Sequence, residues 1–161
     1  AFSLWAFMLP KDYFQPQLAK IYGVTGMFDY SERMLTKILL NNLGVLFLSL
    51  FFSFLFAAGA VFIIVWNASL LGVCLGNLSR HMFEIPIVFL KFIPHGIPEI
   101  LGYLCSGLAG GMISVTAMKK MESNVKNEII KDAFKLFILG VVLIIISAFI
   151  EVYISMKLFK Y

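Results

Sequence analysis

Charge is what this sequence has least of. Asp, Glu, Lys and Arg make up 14% of its 161 residues, against 61% hydrophobic ones, and the mean hydropathy is +0.94. A soluble globule of that size needs polar residues spread through every helix to coat its surface, whereas residues 38–76 carry no charge at all. That excludes a soluble fold and makes the chain an integral membrane protein. Cysteine is scarce too. Cys74 and Cys105 fall in different apolar segments, so they read as small apolar fillers and not as a disulfide or metal pair. No Ser/His/Asp set, phosphate loop or nucleotide motif is present, which leaves an enzyme without its usual machinery and calls for no cofactor. The net charge of +4 comes from Lys and Arg placed mainly between the apolar segments, where they meet anionic headgroups. The bilayer is therefore the expected partner, and nucleic acid is not.

What is present is a succession of apolar runs. Residues 1–9 form an apolar block that stops at Pro10-Lys11-Asp12, has no basic flank, and reads as the tail of a truncated helix. A cleaved signal peptide is the rival reading, but it lacks both the basic start and a small-residue cleavage site. Residues 11–37 mix Tyr and Phe with Lys, Asp and Gln, as expected of an interfacial segment at headgroup level, with Ser31 a candidate N-cap for the helix that follows.

The 39 uncharged residues 38–76 would make a helix of roughly 58 Å, about twice the hydrocarbon thickness. They must hold two spans, approximately 38–58 and 60–76, with the break at Ala57-Ala58-Gly59-Ala60; a break at Asn67-Ala68-Ser69 would instead leave a short re-entrant piece. Residues 77–93 begin polar, with His81 and Glu84 as a solvated pair, turn amphipathic over 85–90 as an interfacial turn of helix, and lead to a span over 94–118. There Pro94 and Pro98 suit a first helical turn, where a missing donor costs nothing. A hydrophilic connection at 119–131 precedes the last span, 134–159. The expectation is an all-α polytopic membrane bundle of about five transmembrane helices, the first truncated, forming a single domain over 1–161. Close-in lysines at 119, 120, 126 and 131 lean that side towards the cytoplasm.

Polar residues within these spans gather in one half of the membrane. Asn41 and Asn42 open the second span, His95 and Glu99 open the fourth, and Glu151 comes about two turns before the last one leaves. Asn67 lies some nine residues from the same side, so all fall within roughly 15 Å of one boundary. Their faces agree as well. His95, Glu99, Gly102, Ser106 and Gly110 share a helical face, as do Gly140, Ser147, Glu151 and Ser155, and as do Asn42, Ser49, Ser53 and Ala57. The pairs Gly72/Gly76 and Gly107/Gly111 fit the small-x-x-x-small pattern of packed membrane helices.

A charge at such depth is expensive enough to be a functional-site hypothesis. The hypothesis is a cluster of Asn41, Asn42, Asn67, His95, Glu99 and Glu151. Three uses are open: hydrogen bonds that only tie helices together, an ion or proton site of a small transporter or channel-like protein, or a polar patch for another membrane protein or a second copy. His95, Glu99 and Glu151 are also a weak candidate set for a divalent metal, although their spacing is not that of a His-Glu-x-x-His metalloprotease.

Asn41-Asn42, Asn67 followed by Leu71-Gly72, Pro94-His95-Gly96-Ile97-Pro98-Glu99 with the glycines 107–111 behind it, and Ile150-Glu151 together resemble the stage II sporulation protein M family. The Pro-His-Gly-x-x-Glu element is the most specific part, and the resemblance covers nearly the whole chain. The family tends to have Asn-Gly where this chain has Asn67-Ala68. The resemblance implies a five-span protein of the inner, or cell, membrane with a cytoplasmic N-terminus. It also implies a non-enzymatic scaffold or subunit: in spore formers the namesake works with two partner proteins that degrade peptidoglycan during engulfment, and many relatives belong to organisms that make no spores.

Overall fold

In a computed structural model, residues 31–56, 59–79 and 81–155 are described. Over these residues the chain is helical and has no strand. Helix α1 is Ser31–Phe56, α2 is Gly59–Leu78, a 3-10 turn follows at Met82–Glu84, α3 is Ile85–Met118, and α4 is Ser123–Ile150, continued by a π-helical turn at Glu151–Ser155. All four α-helices are long and apolar enough to cross a membrane. Of the five spans expected, the one at 1–9 lies outside the described residues, as do most of the interfacial segment 11–37 and positions 156–159 of the last span.

The ends of these helices follow from local chemistry. The uncharged run 38–76 is divided between α1 and α2, which end and begin on either side of Ala57-Ala58. Two helices begin before the spans expected within them. Helix α3 starts at Ile85, nine residues before Pro94, with Pro86 in its first turn, so Pro94 and Pro98 lie inside it. The two rings remove the donors that would meet the Leu90 and Pro94 carbonyls, an interruption that membrane helices tolerate because neighbours supply other contacts. Helix α4 starts at Ser123, because the charges of 123–131 solvate a helix that projects from the apolar region as readily as they would a loop. There the exposed Asp132 and Lys135, a turn apart, pair at 2.8 Å.

Helix α3 is the centre of the bundle: α1 and α4 pack on it most extensively, and α2 lies against α1 and α3. It has the lowest mean hydropathy of the four, 1.5 against 2.7 for the α4 span, because its polar residues face neighbours. Outward faces carry Phe47, Phe51, Phe54, Leu108 and Ile138, all exposed. In water that would be a fault; with lipid as the solvent it is the expected surface.

Lipid chains are as apolar as leucine, so the interior is held by close van der Waals approach and interhelical hydrogen bonds. The helices approach at small residues. A Cβ on Gly102 would lie 3.0 Å from the Gly140 carbonyl oxygen, one on Gly140 would lie 2.9 Å from that of Gly102, and one on Gly110 would overlap the Leu50 carbonyl oxygen. A Cβ on Gly111 would meet nothing within 4 Å. The Gly107/Gly111 expectation is corrected accordingly: the faces through Gly102, Gly110 and Gly140 make the crossings, since Gly111 is rotated about 100° from Gly110 and points away. Of the Gly72/Gly76 pair, Gly72 is buried and Gly76, close to the end of α2 at Leu78, is partly buried.

Fully buried serines then lace the helices together. Ser49 Oγ donates to the Tyr103 carbonyl at 3.0 Å, Ser106 Oγ to that of Leu46 at 2.7 Å, and Ser147 Oγ to that of His95 at 2.7 Å. Around them pack Val45, Leu46, Ile63, Tyr103 and Ile144. Replacing Ser106 or Ser147 by alanine is expected to destabilise the bundle by about 0.6 to 2 kcal/mol each. Thermal unfolding in one fixed detergent measures this, and an unchanged midpoint for both variants would contradict it.

Candidate functional site

Spacing on α3 sets the site. His95, Glu99 and Tyr103 follow one another at steps of four, so they stack along one face of the helix. That face meets the first half of α1, the second half of α2 and the end of α4. Between these elements is a cavity of about 260 Å³ whose walls include Asn41 and Asn42 from α1, Asn67 and Cys74 from α2, His95, Glu99 and Tyr103 from α3, and Glu151 at the start of the π turn. Ile38, Ile64, Leu70, Leu71, Phe92 and Ile100 add apolar groups to the lining. The six polar residues singled out in the sequence thus border one space, although they come from four helices.

Their hydrogen bonds are few and mostly local. Asn41 Nδ2 donates to Asn42 Oδ1 at 3.0 Å, Asn67 Nδ2 to the Ile63 carbonyl one turn earlier at 2.8 Å, and the Tyr103 hydroxyl to Glu99 Oε1 at 2.7 Å. His95 is buried, its ring 5.6 Å from that of Phe92, and its carbonyl takes the bond from Ser147 that ties this turn of α3 to α4. No lysine or arginine is part of the described lining.

With α3 beginning at Ile85, His95 and Glu99 stand about three and four turns inside the helix and do not open it, which places them roughly 15 and 21 Å from its start. The α4 side is set by a change in helical winding. Glu151 caps α4, its N–H shared between the Ser147 and Ala148 carbonyls, and opens the wider π turn. Such turns are rare, and they frequently accompany functional sites because they re-aim a side chain that regular winding would place elsewhere.

Two lining residues were not among the sequence candidates. Tyr103 continues the His95, Glu99 step of four, so the signal was there, but its ring suits an apolar span and was counted as packing. Cys74 read as a filler, and only the fold brings it to the cavity. The metal candidate is not assembled: among the described residues no three His, Cys, Asp or Glu side chains are grouped to hold an ion. His81 stands exposed before the 3-10 turn, where its carbonyl accepts the Glu84 N–H at 2.9 Å, away from the cavity.

Chemically, two carboxylates, an imidazole and three carboxamides in an apolar wall can bind a cation, share protons or hold water.

No solved structure matches the chain. An uncharacterized protein of Methanocaldococcus jannaschii is 37% identical over 129 residues, covering 78% of this chain and 72% of its own. The family model described as stage II sporulation protein M matches residues 2–156. Those residues include all four described helices and every polar residue of the cavity, and on that match the chain belongs to the stage II sporulation protein M family.

Proposed function

We propose that this protein is a non-enzymatic scaffold or subunit of a cell-membrane complex, acting through other membrane proteins or through self-association. The observation that carries the proposal is how little of the described chain lies between its helices. The connections at 57–58, 79–84 and 119–122 are too short to hold a soluble domain, so recognition of a partner falls to the helix flanks inside the bilayer. Family membership fits a membrane protein. Affinity isolation from native membranes in mild detergent is expected to recover the chain with a stoichiometric membrane partner or as a defined oligomer. Repeated recovery as a lone monomer would overturn the proposal.

A second reading is favoured by the cavity: a small transporter or channel-like protein using Glu99, Glu151 and His95 as a proton or cation relay. Purified protein in liposomes would then move ions or protons, and Glu99→Gln would abolish the flux. Flux unchanged in that variant would end this reading.

A further inference from the structure

Helix α3 is packed unevenly along its length. Gly102, Tyr103, Ser106, Gly107, Ala109 and Gly110 are all buried against neighbouring helices, whereas over residues 85–93 Val88 alone is buried. Ile87 and Leu90 on that first stretch are exposed, as is Phe83 on the 3-10 turn before it. A segment with few buried contacts opens at low cost, because little is lost when it moves. Pro94 and Pro98 stand where this lightly held arm joins the packed body of the helix. Each removes one backbone hydrogen bond from the joining turns, so bending costs least there. Gly96 lies between them, and nothing stands within 4 Å of where its Cβ would be, so no neighbouring helix wedges the turn on that side.

The joint is anchored on the body side and loose on the other. Ser147 donates to the His95 carbonyl at 2.7 Å, which holds α3 to α4 immediately after Pro94. The antiparallel register set by Gly102 against Gly140 and by His95 against Ser147 brings Glu151 about level with Lys91. The arm therefore stands at the level of the π turn, where the winding of α4 is irregular too. To the described lining of the cavity the arm supplies Phe92, whose ring is 5.6 Å from that of His95. The other α3 residues of that lining, from His95 to Tyr103, all lie deeper. Phe92 is thus the α3 wall residue nearest the end where the helix begins, and movement of the arm carries its ring off the cavity.

We propose that residues 82–93 form a gate to the polar cavity: the arm swings about Pro94 and Pro98, and the Phe92 ring leaves its place beside His95. With the arm seated, Phe92 closes the end of the cavity nearest the membrane boundary at which α3 begins. With the arm displaced, that end opens to water, and solutes reach Cys74, Glu99 and Glu151. The body of α3 stays in place throughout, held by its glycine crossings to α1 and α4 and by the Ser147 bond. The gate rests on neither functional reading, since access to the cavity can change whether or not an ion crosses the membrane and whether or not a partner binds.

Cys74, partly buried in the wall, is a native reporter. In Cys105→Ser protein reconstituted into phosphatidylcholine nanodiscs, the rate at which a cationic methanethiosulfonate modifies Cys74 reads how often the cavity is open, because hydrocarbon excludes the reagent. Replacing both prolines, Pro94→Ala with Pro98→Ala, returns two backbone donors to the joint and is expected to slow modification at least about fivefold, the worth of one regained hydrogen bond. Phe92→Ala is expected to speed modification about three- to tenfold, the worth of one aromatic contact, and to do so in the double-alanine protein as well. Leu90→Ala, at an exposed position of the same arm outside the described lining, is expected to leave the rate unchanged. A misfolded proline variant would label faster, so slowing separates a stiffened joint from a damaged fold. An unchanged or faster rate without the two prolines, an unchanged or slower rate in Phe92→Ala, a rate raised as much by Leu90→Ala as by Phe92→Ala, or a Cys74 unreactive in every variant would each overturn the proposal.

Discussion

Gly110→Ala is expected to destabilise the bundle by about 1 to 3 kcal/mol or more, whereas Gly111→Ala, one residue along the same helix, is expected to be neutral or stabilising by up to ~1 kcal/mol. The chemistry of the two changes is the same, and only their surroundings differ. A methyl at position 110 overlaps the Leu50 carbonyl oxygen and crowds Ser53. Both neighbours belong to α1, and the oxygen is backbone, so relief requires moving a helix and not merely turning a side chain. That movement would strain the nearby Ser106 bond to Leu46. At position 111 the methyl meets nothing within 4 Å, and the usual helical preference for alanine over glycine is all that remains. Thermal unfolding of the two variants in the same detergent, followed by size-exclusion chromatography of the heated samples, measures the difference. A larger loss for Gly111→Ala than for Gly110→Ala would mean that the α1/α3 crossing is wrongly placed.

Tyr103→Ala has the second large effect, about 3 to 5 kcal/mol by analogy with other aromatic truncations in packed interiors. Tyr103 is the largest fully buried side chain among the described residues, 1% exposed, in contact with the cluster of Val45, Leu46, Ile63 and Ile144 that joins three helices to α4. Truncation removes dispersion contacts on every side and extends the polar cavity into the apolar core. Tyr103→Phe separates packing from hydrogen bonding, because it keeps the ring and removes the donor to Glu99 Oε1. Its expected cost is about 1.5 kcal/mol, the effect of depriving a buried carboxyl group of its bond. Equal losses for the two variants would show that the hydroxyl, and not the ring, carries the contribution of Tyr103.

The polar residues of the site were readable one at a time. His95 and Glu99 stand out in an apolar run, and Glu151 does so in another, because hydrocarbon makes charge costly and therefore conspicuous. Their common half of the membrane followed from counting residues along alternating spans. Tyr103 and Cys74 were not conspicuous: each fits an apolar wall, and nothing in the local pattern says that one hydroxyl turns towards a carboxyl or that one thiol borders a cavity. The prolines misled for a related reason. In a chain surrounded by water Pro94 marks a helix start, but in lipid a backbone that leaves the helix loses many hydrogen bonds at once, so the helix from Ile85 continues through both rings.

Hydropathy and period alone determined that the chain lives in a membrane, that its described part is helical, where the long uncharged run divides, and which faces of α3 and α4 are small and polar. Those properties depend on free-energy differences local to each segment. Which glycines meet was decided only in three dimensions. Gly110 and Gly111 satisfy the small-residue rule equally, and the rotation of α3 against α1 selects between them. The cavity was decided in the same way. Its walls are contributed by four helices, three of which, α1, α3 and α4, are joined by serine hydrogen bonds and glycine contacts far apart in sequence, and no single segment carries its shape.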